Sequence, residues 1–175
     1  MSRALPIWKL TDPDGSLRAS APVVLVRLQE LLDLAESARD PENVEALHDL
    51  RIAAKRLRYT LEIFAPALGA EAEGLLSSVE ALQERLGDIH DLDVRLVLLR
   101  KALARERTRE RKKADKRHPV PVSAEIGLLP LADATEADRS ARFDAFLALW
   151  DSLPPESFAA DLTRLVSGGE TILGD

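Results

Sequence analysis

The chain has 175 residues, enough for one domain with a sizeable core. With 46% hydrophobic and 31% charged residues it is globular rather than disordered, and with only 4% aromatics its core has to be built from Leu, Ala, Val and Ile, a palette that favours helices. The lack of cysteine excludes disulfides and thiolate metal sites, and a formal net charge of −6 by itself argues against a polyanionic partner.

Residues 1–15 read as a leader, because Pro6, Asp12, Pro13, Asp14 and Gly15 are turn formers. Met1 to Leu10 lacks the continuous apolar run of a secretory signal. A first helix is expected from Ser16 or Ser20 to about Ala38, with Val24, Leu25, Leu28, Leu31, Leu32 and Ala35 at helical spacing. Asp40-Pro41-Glu42-Asn43 restarts the chain: Asp40 can cap, Pro41 suits a first helical position, and a second helix runs to about Phe64. Its Leu50, Ala53, Leu57, Leu61 and Phe64 fall within an arc of about 80°.

Leu75, Leu76, Val79, Leu82 and Leu86 mark a third helix over 70–86. Gly87-Asp88 predicts a break, with Asp88 capping a fourth helix from Ile89 to at least Leu103 and Asp91 complementing its dipole. His118-Pro119-Val120-Pro121-Val122 cannot be helical and, with Leu128 to Asp133, is expected to form an extended linker. A fifth helix is expected from Thr135 to Ser152, and Pro154-Pro155 opens a short last one ending before Gly168-Gly169.

No strand signal, internal repeat or Gly-rich phosphate loop is present, so the expected fold class is all-α: an antiparallel helical bundle of four main helices plus a C-terminal helix packing back. The expected organisation is a leader (1–15), a helical bundle (16–104), a weakly ordered basic connector (105–134) and a C-terminal segment completing the bundle (135–175). No apolar run approaches the roughly 20 residues that cross a bilayer, which makes a cytoplasmic protein with no membrane partner the expectation.

The charge is segregated. Arg100 to Arg117 holds ten basic residues against three acidic ones, a local +7, so the remainder carries −13. Segregation of this kind is what electrostatic recognition requires. The second helix carries the sharpest constellation, His48-Asp49-Leu50-Arg51-Ile52-Ala53-Ala54-Lys55-Arg56-Leu57-Arg58-Tyr59. Measured around the helix from His48, Lys55 lies at about 340°, Arg51 at about 300°, Arg58 at about 280° and Tyr59 at about 20°, while Arg56 flanks the stripe at about 80°. The stripe runs beside the apolar arc rather than opposite it, which places it at the edge of a groove. It spans about 15 Å, a length suited to a linear repeating anion. Arg forks pair with phosphate oxygens, Lys adds a point charge, and His donates one or two bonds according to its protonation. The competing reading is an ordinary solvated basic face. The narrowness of the stripe and the lack of acids between Arg51 and Arg58 weigh against it.

His48 to Arg58 matches the pattern His-x-x-Arg-(Val/Ile)-x-x-(Lys/Arg)-(Arg/Lys)-Leu-Arg throughout, and Leu82-Gln83 with Leu86-Gly87-Asp88-Ile89-His90-Asp91-Leu92-Asp93-Val94 matches a second stretch of the same family. The chain thus resembles the CHAD family, the conserved histidine α-helical domain, over roughly Pro6 to Arg100, and Arg142, Phe143 and Trp150 look like its terminal helix. The resemblance implies an all-helical, non-enzymatic binder of inorganic polyphosphate without a cofactor, located in the cytoplasm and on polyphosphate granules, with His48, Arg51, Lys55, Arg56 and Arg58 as the anion-binding set. His90 is a further candidate. Members of the family have two similar four-helix halves, whereas this chain has one half and a shortened second. The second wall of the groove is therefore expected from Arg95 and Lys101 of the fourth helix, or from a second subunit in a homo-oligomer.

Two other function classes deserve comparison. His48-Asp49 and His90-Asp91 suggest a metal-dependent phosphohydrolase, but such a site needs several His and Asp around its metal, and only His118 remains, so no metal site is expected. The Arg-rich tract suggests a nucleic-acid-associated scaffold, yet it lacks interleaved aromatics for stacking, so nucleic acid is the less favoured partner.

Overall fold

A computed structural model of the chain describes residues 23–68, 70–114, 123–153 and 155–167. All the regular structure among them is helical: α1 (Val23–Ala35), a 3-10 turn (Ser37–Arg39), α2 (Val44–Leu68), α3 (Glu71–Ala114), α4 (Ser123–Ser152) and α5 (Pro155–Ser167). The expected leader lies outside the described residues.

The apolar arc of α2 forms the centre of the core. Leu50, Ala53, Leu57 and Leu61 are fully buried, with Val24, Leu28 and Leu31 of α1, Val79, Leu82, Leu86 and Ile89 of α3, and Phe143, Phe146 and Trp150 of α4 around them. Each buried Leu contributes roughly 2 kcal/mol of transfer free energy. The three α4 aromatics form a tilted ladder, with centroids 5.9 Å apart for Phe143 and Phe146 and 6.3 Å for Phe146 and Trp150. Leu162 and Leu165 of α5 close the same core.

Three expected boundaries are corrected. The helix starting at Pro41 starts instead at Val44, because Asn43 is its cap: Asn43 Oδ1 accepts the Ala46 N–H at 3.1 Å. Asp40 serves the preceding turn, accepting the Glu42 N–H at 3.0 Å. The break at Gly87-Asp88 does not occur, and the third and fourth predicted helices are one helix of 44 residues, about 66 Å long. Its buried residues Leu82, Leu86, Ile89, Leu92, Leu96, Leu99 and Leu103 recur at intervals of three and four straight through Gly87, so burial holds the helical phase across the glycine. Asp88 does not cap; it takes Arg142 of α4 at 2.7 Å.

The expected weakly ordered connector is helical wherever it is described. Residues 105–114 continue α3, and 123–134 begin α4. The cause is a second small apolar cluster, in which Leu99 and Leu103 of α3 pack with Ala132 and Leu128 of α4 and hold the two helices as an antiparallel pair. His118 and its flanking prolines lie outside the described residues.

Gly87 is an interior helical residue whose added Cβ would meet nothing nearer than the Arg51 Nε, at 3.9 Å. Gly87→Ala is therefore expected to raise stability by about 1 kcal/mol, the difference in helix propensity, as read by urea unfolding.

Candidate functional site

The Asn43 cap fixes the rotational phase of α2, and one turn later that phase delivers His48 and Arg51 to the seam with α3. On α3 the in-phase stripe Leu82, Leu86 and Ile89 does the same for Gly87 and His90. The two helices run antiparallel. The His48 and His90 rings stack with centroids 5.1 Å apart and planes tilted by 43°, while Arg51, three residues on, lies over Gly87, three residues back. The helix that faces the stripe at His48 and Arg51 is thus α3 of the same chain.

Beyond Arg51 the stripe continues along α2. Lys55 stands 5.6 Å and Arg58 4.7 Å from the centroid of the half-exposed Tyr59 ring, which holds both cations to one side of the helix. Arg58 Nε sits 3.4 Å from Glu62 Oε1 without hydrogen-bond geometry. Among the described residues no carboxylate lies within 4 Å of a charged nitrogen of His48, Arg51 or Lys55. The Arg51 Nε is buried and has no hydrogen-bond partner among them. Leaving a charged donor unsatisfied costs roughly 1–3 kcal/mol or more.

Like charges so close raise the local potential. His90 is held below the ordinary histidine value of 6.5 by burial first, then by Arg51 and His48, against the opposing pull of Asp91 and Asp93.

Three sequence candidates stand apart from this cluster. Arg56 turns to the neighbouring helix, 4.0 Å from Glu30, a buried carboxylate of α1 that also takes Arg27 at 2.6 Å. Burial of Glu30 demands a cation; Arg27 hydrogen-bonds one of its oxygens and Arg56 faces the other. Arg95 lies about 140° around α3 from His90 and lines a separate recess of about 190 Å³ with Asp88, Asp91, Asp138 and Arg142. Lys101 shares the face of His90 but sits about 16 Å further along α3 and is exposed. Arg100, in the basic tract, is taken by Glu136 at 3.0 Å.

His48 and His90 meet, but Asp93 is bound by Arg139 of α4, which also donates to the Pro41 carbonyl at 2.8 Å, and Asp91 is exposed on the other side of α3. Among the described residues no three His, Asp or Glu side chains converge as a metal site. One polar residue of the seam stands in the second family-like stretch of the sequence but has no role assigned there. Gln83 lies on the His90 face of α3, and its Oε1 is buried without a hydrogen-bond partner among the described residues. Its position four residues before Gly87 and seven before His90 was the available signal.

Arg139 and Asp93 are mostly buried, with 12% and 11% of their side chains exposed. Arg139→Met is expected to cost about 3 kcal/mol by stranding the carboxylate, and adding Asp93→Leu to recover most of it, as measured by a double-mutant unfolding cycle.

A family model described as the CHAD domain matches residues 2–100 of the chain. No curated protein and no solved structure matches it. No described helix is long and apolar enough to cross a membrane.

Proposed function

The chain belongs to the CHAD domain family, and from that premise we propose that it binds inorganic polyphosphate in the α2–α3 groove. His48, Arg51, Lys55 and Arg58 are the contacts on α2 and His90 the contact on α3. The observation that carries this reading is that Arg51 and Lys55, on one seam of the bundle, have no carboxylate within 4 Å among the described residues, with the Arg51 Nε buried and unpartnered there. A polyanion supplies what these groups lack. Its oxygens accept from the Arg forks and the imidazoles, its charge offsets their repulsion, and its release of counterions makes the affinity fall with salt. The stripe from His48 to Arg58, about 15 Å long, presents a row of donors to a chain of phosphoryl groups rather than a single deep pocket. No bond is broken in this role, and the residues of the groove are binding groups rather than catalytic ones. Location on polyphosphate granules in the cytoplasm would follow from the same affinity.

Arg56, held by Glu30, is assigned to packing. Arg95 and Lys101, away from the seam, are assigned no contact. With α3 as the facing wall, a second subunit is not required for the groove.

Titration calorimetry of the purified protein with long-chain polyphosphate tests this directly. Arg51→Ala and Arg58→Ala are each expected to weaken binding about tenfold or more, with a shallower salt dependence, whereas Arg95→Ala changes little. Duplex DNA at the same ionic strength should compete poorly. Equal loss for all three variants, or equal competition by DNA, would point to a diffuse electrostatic surface and against the groove.

A pH dependence follows from His90. Its value in the free protein is depressed, so an anion that favours imidazolium makes binding take up protons. Affinity is expected to rise as pH falls below 6.5 toward the depressed value. The stability of the free protein runs the other way: the unfolded chain binds more protons in that window, so acidification there destabilises the fold. Calorimetry in buffers of different ionisation heat reads the uptake, and His90→Gln should reduce it.

A further inference from the structure

The α2–α3 seam contains a neutral side chain whose hydrogen-bonding state is unexplained by the bundle alone. Gln83 lies on the same face of α3 as His90, within about 20° around the helix, with Gly87 between them. The His48–His90 stack and the approach of Arg51 to Gly87 fix the antiparallel register. That register puts Gln83 at the level of Lys55, one turn beyond Arg51. The Gln83 Oε1 is buried and accepts no hydrogen bond among the described residues, and the Arg51 Nε is buried and donates none. An acceptor and a donor, both unsatisfied, thus stand at successive levels of one groove. If the site were only structural, each orphan would be a standing cost of roughly 1–3 kcal/mol with no return.

We propose that Gln83 is a phosphate-contacting residue, which together with Arg51 and Lys55 across the groove makes a subsite for one phosphoryl group. This rests on the polyphosphate reading. Rotation about the terminal torsion of Gln83 exchanges its oxygen and its NH2 group, and the NH2 then donates to a non-bridging oxygen while Arg51 Nε donates to another. A neutral donor fits here for an electrostatic reason. A further cation beside Arg51 and Lys55 would add repulsion in the free protein, whereas an amide adds a donor and no charge. A carboxylate would repel the ligand and pair with Arg51. Gln thus raises affinity at the least electrostatic cost to the unliganded fold.

The experiment is a pair of measurements on the full chain carrying Gln83→Met, which keeps the length and flexibility of the side chain and removes its polar atoms. Titration with long-chain inorganic polyphosphate should show binding weakened about tenfold, and thermal unfolding without ligand should show an unchanged or raised Tm, because a buried orphan has been removed. Loss of affinity with no loss of stability is the signature of a ligand contact; a structural amide would lower Tm and leave affinity alone. Gln83→Glu provides a second readout that does not depend on packing: binding should be weaker still at neutral pH and recover as the new carboxyl protonates. Wild-type affinity in both variants would overturn the assignment of Gln83 while leaving the polyphosphate reading in place. Failure of the unaltered protein to bind polyphosphate would overturn both.

Discussion

The packing of α2 against α3 is the constraint on which the rest depends. Two apolar faces, Leu50, Ala53, Leu57 and Leu61 on one helix and Val79, Leu82, Leu86 and Ile89 on the other, fix both the rotation and the register of the pair. Once these are fixed, residues adjacent to the faces have no freedom to choose their neighbours. His48 must meet His90, and Arg51 must meet Gly87. The hydrophobic effect thereby assembles a cation-rich seam that would not form from charged residues alone, since their mutual repulsion opposes it.

The chain settles its charges in two contrasting ways. Where a cation serves the fold it has a carboxylate: Arg139 with Asp93, Arg142 with Asp88, Arg27 and Arg56 with Glu30, Arg100 with Glu136. On the seam, Arg51 and Lys55 have none among the described residues, and Arg58 has Glu62 at 3.4 Å on its own helix. The difference separates residues that hold helices together from residues proposed to await a ligand. It also explains how a chain with net charge −6 can present an anion-binding surface: most of its acids are distributed elsewhere or engaged.

The helical fold and the identity of the α2 stripe were legible in the sequence because both rest on periodicity within a single helix. The interval pattern from Leu50 to Phe64 places the buried face, and the offset of His48, Arg51, Lys55 and Arg58 from it places the stripe. What was illegible depended on partners distant in the chain. Nothing near Arg56 in sequence says that Glu30 is buried and within reach. Nothing near Gly87 says that an apolar stripe from Leu82 to Leu103 will override its low helix propensity. The like-charged run after Arg100 suggested poor order, yet Leu99 and Leu103 found Ala132 and Leu128 and kept both helices continuous through 114 and from 123. Of the sequence candidates on α3, His90 meets His48, whereas Arg95 and Lys101 lie away from the seam, and the approach of Arg51 to Gly87 depends on a register that no local pattern shows.

The apolar cluster of Leu99, Leu103, Ala132 and Leu128 is separate from the main core, and it joins the far halves of α3 and α4 beyond the level at which α2 begins. Among the described residues this stretch is held by that small cluster and the exposed Arg100–Glu136 pair, so its opening free energy is expected to lie below that of global unfolding. Amide protons there would exchange through local fraying while those around Leu57 and Leu86 wait for the whole domain to unfold. The basic extension can therefore breathe, or be cut by a protease, at little cost to the seam that lies between α2 and the first half of α3.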